Sequence, residues 1–150
     1  MICQYAHDSS LDEKSDFKLC TLSSCTTPSM LQKMLESFIE RRQGRTYGPP
    51  GGKSTTILID DLSMPEKNKW GDQTTNELFR QLLEVNGFYG LERPIGEMKQ
   101  IVDVRFITAA TKSEDEALNI PERLRGKLCP ILVLEPLEGL LLALSYIINL

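Results

Sequence analysis

Apolar residues recur along this chain with two different spacings, and each change of spacing marks a predicted element. Residues 17–24, FKLCTLSS, alternate as a strand does, with Phe17, Leu19 and Thr21 on one side and Cys20 and Leu22 on the other. Thr27-Pro28 then offers a capping hydroxyl and a proline suited to a first helical position. Met30, Leu31, Met34, Leu35, Phe38 and Ile39 follow at helical spacing, predicting an amphipathic helix that buries this face as core. Arg41-Arg42 suit the negative end of its dipole, and Gly44 is the expected stop. The β-branched run from about Thr56 to Leu62 predicts a second strand. Thr74-Thr75-Asn76-Glu77 has the form of a capping box. Behind it, Leu78, Phe79, Leu82, Leu83 and Val85 form an apolar helix face closed by Gly87. Ile101–Ala110 and Pro130–Leu134 read as further strands, with a helix from about Leu137. Strands alternating with helices predict an α/β layered domain with a largely parallel sheet.

Composition narrows the chemistry. The 150 residues suffice for one domain with a real core, and 41% hydrophobic with 25% charged residues is ordinary for a globular protein. A net charge of −4 without a long basic run gives no reason to expect nucleic acid. Cys3, Cys20, Cys25 and Cys129 lack paired spacing and His7 is the lone histidine, so the thiols read as buried or idle rather than zinc ligands. The first residues lack the basic start and apolar run of a signal peptide. Near the other end, Glu135, Pro136 and Glu138 interrupt the apolar stretch, which reads as a strand and buried helix rather than a membrane span. A cytosolic protein is expected.

Residues 48–55, GPPGGKST, invite comparison with a phosphate-binding loop, G-x-x-x-x-G-K-S/T, which follows a strand and opens a helix. Counting back from Gly52-Lys53-Ser54, the first glycine should fall where Tyr47 stands. Starting instead from Gly48 leaves three intervening residues, two of them the prolines Pro49 and Pro50, which have no N–H to donate. The following Thr55-Thr56-Ile57-Leu58-Ile59 is strand-like, so no helix dipole faces the loop. The expected structure is a Pro/Gly turn feeding a strand, and a small P-loop kinase acting through Lys53 is disfavoured.

More informative is ILIDD, Ile57 to Asp61. An apolar parallel strand ending in two acids places carboxylates at the carboxyl edge of the sheet, where ligands bind in such folds. In nucleotide hydrolases this arrangement is the Walker B strand; the residues alone equally allow a solvent-exposed acidic strand end.

From Leu19 to about Thr111 the chain resembles the dynein heavy chain, most closely the third AAA+ module of its motor ring. The matching segments stand in order: ERRQGRTYGPPGGK, then TTILIDDLSMPEKNKWGDQTTNELFRQLLEVNGFYGLER, then IVDVRFITAA. The resemblance implies that YGPPGGK leads into the Walker B strand. It implies Mg²⁺ held through water by Asp60, and Asp61 at the catalytic position, where AAA+ ATPases usually carry Glu. Asp is one methylene shorter, so slow hydrolysis or a regulatory nucleotide site is expected. Thr111 falls near the polar sensor of the γ-phosphate. Arg123 and Arg125 fall where paired arginines can reach a neighbouring module's nucleotide. The cofactor implied is ATP or ADP with Mg²⁺ in a complete module. The partners implied are neighbouring AAA+ modules, microtubules, and dynein intermediate and light chains, in the cytoskeleton of a ciliary or flagellar axoneme.

Departures from the family pattern are as specific. Lys112–Asn119, KSEDEALN, is acidic where the family has a glycine- and proline-rich stretch, and Glu122 stands where an arginine is expected. No glycine occurs in residues 1–43, so no phosphate loop precedes the second family strand. The expected fold is an incomplete AAA+ P-loop NTPase-type three-layer domain, a mainly parallel sheet lacking its first strand and phosphate loop. Of the family order 5-1-4-3-2, strands 4, 3 and 2 should remain adjacent. Residues 1–16 are expected to be unrelated or disordered, and 17–150 to be a partial AAA+ module, inactive in isolation. The alternative is a non-catalytic scaffold or interaction domain derived from such a module.

Overall fold

The computed structural model describes residues 15–92, 95–111 and 119–131. In chain order the elements are β1 (Ser15–Thr21), α1 (Pro28–Glu36), β2 (Glu40–Arg41), β3 (Thr46–Gly48), a 3₁₀ turn (Pro50–Gly52) and β4 (Ser54–Asp60). After these come α2 (Thr74–Val85), β5 (Gly87–Tyr89), β6 (Met98–Ile101), β7 (Val104–Thr108) and α3 (Glu122–Arg125). The fold is α/β, as expected. Its main sheet is parallel, in the order β1-β4-β7, so the three strands read as family strands 2, 3 and 4 are neighbours.

Period-two alternation sorts the two faces of that sheet. Cys20, Ile57 and Ile59 point into the core with Leu31 and Leu35 of α1 and Leu78, Phe79 and Leu82 of α2. Phe79 meets Phe106 of β7 edge-to-face, with ring centroids 5.5 Å apart at 77°. Burial pushes the Cys20 thiol pKa up, whereas Cys25 and Cys129 are exposed. On the other face, register aligns Leu19, Leu58 and Ile107 in one cross-strand row. Leu58 is buried, while Leu19 and Ile107 are 50% and 43% exposed.

Several element boundaries differ from expectation. β1 spans Ser15–Thr21 and stops short of Leu22–Ser24. Thr27 caps α1 as expected, accepting from Met30 N, and Pro28 opens the helix. But α1 ends at Glu36, where the Ser37 hydroxyl donates to Met34 O at 2.7 Å, so Arg41-Arg42 are not its last turn. Instead Arg41 lies in β2, which pairs antiparallel with β3 across the turn at Gly44 (φ 60°). Met30, expected in the core, is 55% exposed on the helix's outer side.

The capping box does not form. Helix α2 begins at Thr74, making Gln73 the cap residue, one position before the box requires, and Glu77 pairs with Arg80 instead. At its other end Asn86 takes the left-handed conformation (φ 51°) that closes the helix, and Gly87 begins β5. Ile101–Ala110 is not one strand: a left-handed turn at Asp103 (φ 58°) separates β6 from β7. This break lets β6 join a second, four-stranded sheet in the order β2-β3-β6-β5. Pro130 and Ile131 lie in no strand. Residues 132–150, with the helix expected from Leu137, and the acidic stretch 112–118 lie outside the described residues, as do 1–14.

Candidate functional site

The parallel sheet carries Asp60 to its carboxyl border. Thr21 is the register partner of Asp60 in β1, and Leu22 N donates to the Asp60 carbonyl at 3.0 Å. On the β7 side Ala109 N donates to Ile59 O at 2.9 Å, and Leu62 N returns a 2.9 Å bond to Ala109 O. Between these anchors Asp61 adopts φ 57°, the left-handed region that a non-glycine residue enters only at a cost of about 1–3 kcal/mol. Its N–H donates to its neighbour's Asp60 Oδ1 at 3.0 Å, and its carbonyl accepts from Met64 N at 2.9 Å. Both aspartates are half-buried. Neither is ion-paired to a lysine or arginine among the described residues.

Asp60 and Asp61 offer two adjacent hard carboxylate donors, of the kind that suit a cation keeping other ligands. Mg²⁺ behaves in this way, retaining several waters and taking phosphate oxygens alongside one or two carboxylates. The pair therefore fits the acidic half of a Mg–nucleotide site.

The remaining expected site residues divide. Thr111 is exposed, two residues beyond the Ala109–Leu62 bond, so it leaves the sheet at the same rim as Asp61. Arg123 and Arg125 lie on α3, held to the core by the fully buried Leu124. Arg125 pairs with Glu122 at 3.3 Å, so the acid found where an arginine was expected engages its own helix. Neither guanidinium contacts Asp60 or Asp61 among the described residues.

Residues 48–55 form no phosphate cradle. The chain turns through Pro50–Gly52 and enters β4 directly, with Lys53 extended and exposed. Arg42 fastens this turn: its guanidinium pairs with Asp103 and donates to Pro49 O at 3.2 Å and Lys53 O at 3.4 Å. It lies so close over Gly48 that an added β-carbon would meet its Cζ at 2.7 Å. Since only the Lys53 backbone takes part here, Lys53→Ala is expected to shift the unfolding free energy by no more than about 0.5 kcal/mol. A urea melt checks this; a loss of several kcal/mol would contradict an exposed ammonium whose one interaction among the described residues is a weak attraction to Asp16.

Sequence reading missed the side chains that hold the loop beyond Asp61. Asn76 Nδ2 donates to Leu62 O at 3.1 Å and to Gln73 Oε1 at 2.9 Å, while Gln73 Nε2 donates to Pro65 O at 2.8 Å. Asn119 Nδ2 reaches Ser63 O at 3.3 Å. Gln73 and Asn76 are 1% and 0% exposed. Asn76 Oδ1 has no partner among the described residues, a burden of about 1–3 kcal/mol, so the amide returns little net stability. No sequence signal marks them, because their partners are backbone carbonyls and Gln73 is an extended cap residue outside the helical spacing.

Residues 1–136 match the family described as P-loop containing dynein motor region. The chain is 53% identical over 108 residues to the dynein gamma chain, flagellar outer arm, of Chlamydomonas reinhardtii, covering 72% of this chain and 2% of that protein. It is 50% identical over 113 residues to dynein axonemal heavy chain 5 of Rattus norvegicus, covering 75% and 3% respectively. Dynein axonemal heavy chain 8 of Mus musculus is 46% identical over 108 residues, 72% of this chain and 2% of that one. The chain thus spans only 2–3% of the length of these relatives.

Proposed function

The chain belongs to the P-loop containing dynein motor region family, and from that premise we propose that it supplies the Walker B part of an AAA+ module in a microtubule motor. The observation that carries this reading is the pair Asp60 and Asp61 at the carboxyl border of the β1-β4-β7 sheet. Asp60 would hold Mg²⁺, and that ion, bound with ATP, would supply positive charge that offsets the charge of the phosphates. Asp61 orients the attacking water and accepts its proton at a carboxylate oxygen. Thr111 is suited by its hydroxyl and its place at the rim to hydrogen-bond a γ-phosphate oxygen. Arg123 and Arg125 serve a neighbouring module's nucleotide, consistent with their lack of contact with Asp60 and Asp61 among the described residues.

Through the parent heavy chain, the partners are adjoining AAA+ modules, microtubules, and intermediate and light chains. The names of the relatives, axonemal and flagellar, support a place in the cytoskeleton of a cilium. The test is Asp61→Asn in a complete heavy chain carrying this segment. Nucleotide retained on the ring after rapid desalting should shift from ADP toward ATP, with hydrolysis at this module slowed about 10²-fold or more. Asp60→Asn should instead weaken Mg²⁺-dependent retention. If neither variant alters the retained nucleotide, the Walker B reading fails, and a non-catalytic scaffold takes its place.

A further inference from the structure

We infer that Gln73 and Asn76 are positioning residues for Asp61: their buried amides clamp the carbonyls of Pro65 and Leu62 and so hold the left-handed turn that sets where the Asp61 carboxylate stands. The inference rests on the Walker B reading of Asp61 and goes beyond it by naming what fixes the acid. A non-glycine residue at φ 57° relaxes to an extended conformation unless its surroundings over-determine it.

Here the surroundings do so from both sides. Before Asp61, β4 is pinned between β1 and β7. Beyond it, Leu62 N is tied to Ala109 O, Leu62 O to Asn76 and Pro65 O to Gln73. The two amides act as one unit, because Asn76 Nδ2 also donates to Gln73 Oε1 and thereby orients the other amide's N–H group. Both sit at the start of α2, which is itself anchored by Thr75 Oγ1 on Thr26 O at 2.7 Å and by Phe79 against Phe106. The start of α2 is thus tied to the loop beyond Asp61 by two buried hydrogen bonds, of 3.1 and 2.8 Å.

Catalytic geometry is sensitive at this scale: a displacement of about 1 Å can cost about 10²-fold in rate. The test is made in a complete heavy chain carrying this segment, with Gln73→Met compared against Gln32→Met. Gln32 is another buried amide, 5% exposed against 1% for Gln73, that donates to Glu36 and accepts from Leu91 N and touches neither Asp61 nor the loop beyond it, so it reports what loss of a buried amide does by itself. We expect Gln73→Met to slow conversion of retained ATP to ADP about tenfold while leaving the Kd for Mg-ATP within about twofold. Gln32→Met should change neither, although both variants lower the melting temperature. Asn76→Ser, a smaller change that forfeits reach to both Leu62 O and Gln73 Oε1, should repeat the split and decides the matter if Gln73→Met does not fold.

Equal slowing by Gln73→Met and Gln32→Met would reduce the amides to general stabilisers and overturn the inference. So would unaltered hydrolysis in folded Gln73→Met or Asn76→Ser while Asp61→Asn remains slow. An Asp61→Asn chain that hydrolyses normally removes the underlying reading and this inference with it.

Discussion

Phe79→Ala is expected to lower the unfolding free energy by about 3–5 kcal/mol, the range for removing a fully buried phenylalanine. The ring is 0% exposed and lies where α2 meets the sheet, within the cluster that joins Leu31 and Leu35 to Ile57 and Ile59. Truncation removes its apolar burial and the edge-to-face contact with Phe106, and it leaves a void that the pinned strands cannot close. Against a typical domain stability of about 5–15 kcal/mol, such a loss leaves a marginal fold. In urea the midpoint should fall with little change in slope. A loss below about 1 kcal/mol would mean that α2 is not fastened at this point, contrary to the packing described.

Gly87→Ala should destabilise by about 1–3 kcal/mol, toward the upper end, through overpacking rather than a void. An added β-carbon would stand 2.3 Å from Lys99 O, 2.8 Å from Met98 Cε and 3.2 Å from Gln100 Cα. The methionine end can swing aside. The carbonyl cannot, because Gly87 and Gln100 are register partners in the antiparallel β5–β6 pair. The damage should therefore be local, appearing as faster amide hydrogen exchange at Phe88–Tyr89 and Met98–Ile101 before the main sheet is affected. Uniform loss of protection across β1, β4 and β7 would show that the two sheets unfold as one unit.

These two positions illustrate what sequence patterns reveal and what they conceal. Phe79 was legible as core because helical spacing puts it on a face with Leu78 and Leu82, and the structure buries all three. Gly87 was read as a helix stop; Asn86 does that work, and the glycine is needed for a contact with a strand a dozen residues away. Similarly, Thr27-Pro28 announced the start of α1 through purely local chemistry, whereas its end at Glu36 was not announced, since Phe38 and Ile39 continue the helical spacing and still reach the core from beyond the helix. β2, β3 and β5 span two or three residues each, too few for alternation to register.

The candidate site divides along the same line. Asp60 and Asp61 were readable because an apolar strand ending in acids is a contiguous pattern, and strand pairing then brings Thr21 and Ala109 beside them. Asn76, inside an apparent capping box, and Gln73, just before it, were hidden, since their partners, Leu62 and Pro65, are bonded through backbone carbonyls whose identity leaves no mark in the sequence.

By itself, the sequence determined the alternation of the longer strands and helices, most of the inward face of α1 and α2 though not Met30 or Val85, the turn at 48–55 and the pair of acids at a strand end. Each of these depends on side-chain type at a fixed local spacing, which composition and period express directly. Tertiary structure alone decided the second sheet, the break at Asp103, the left-handed turn at Asp61 and the amides that hold it. Those features arise from hydrogen bonds and close approaches between segments distant along the chain, where the deciding energy lies in the pairing and not in either segment alone.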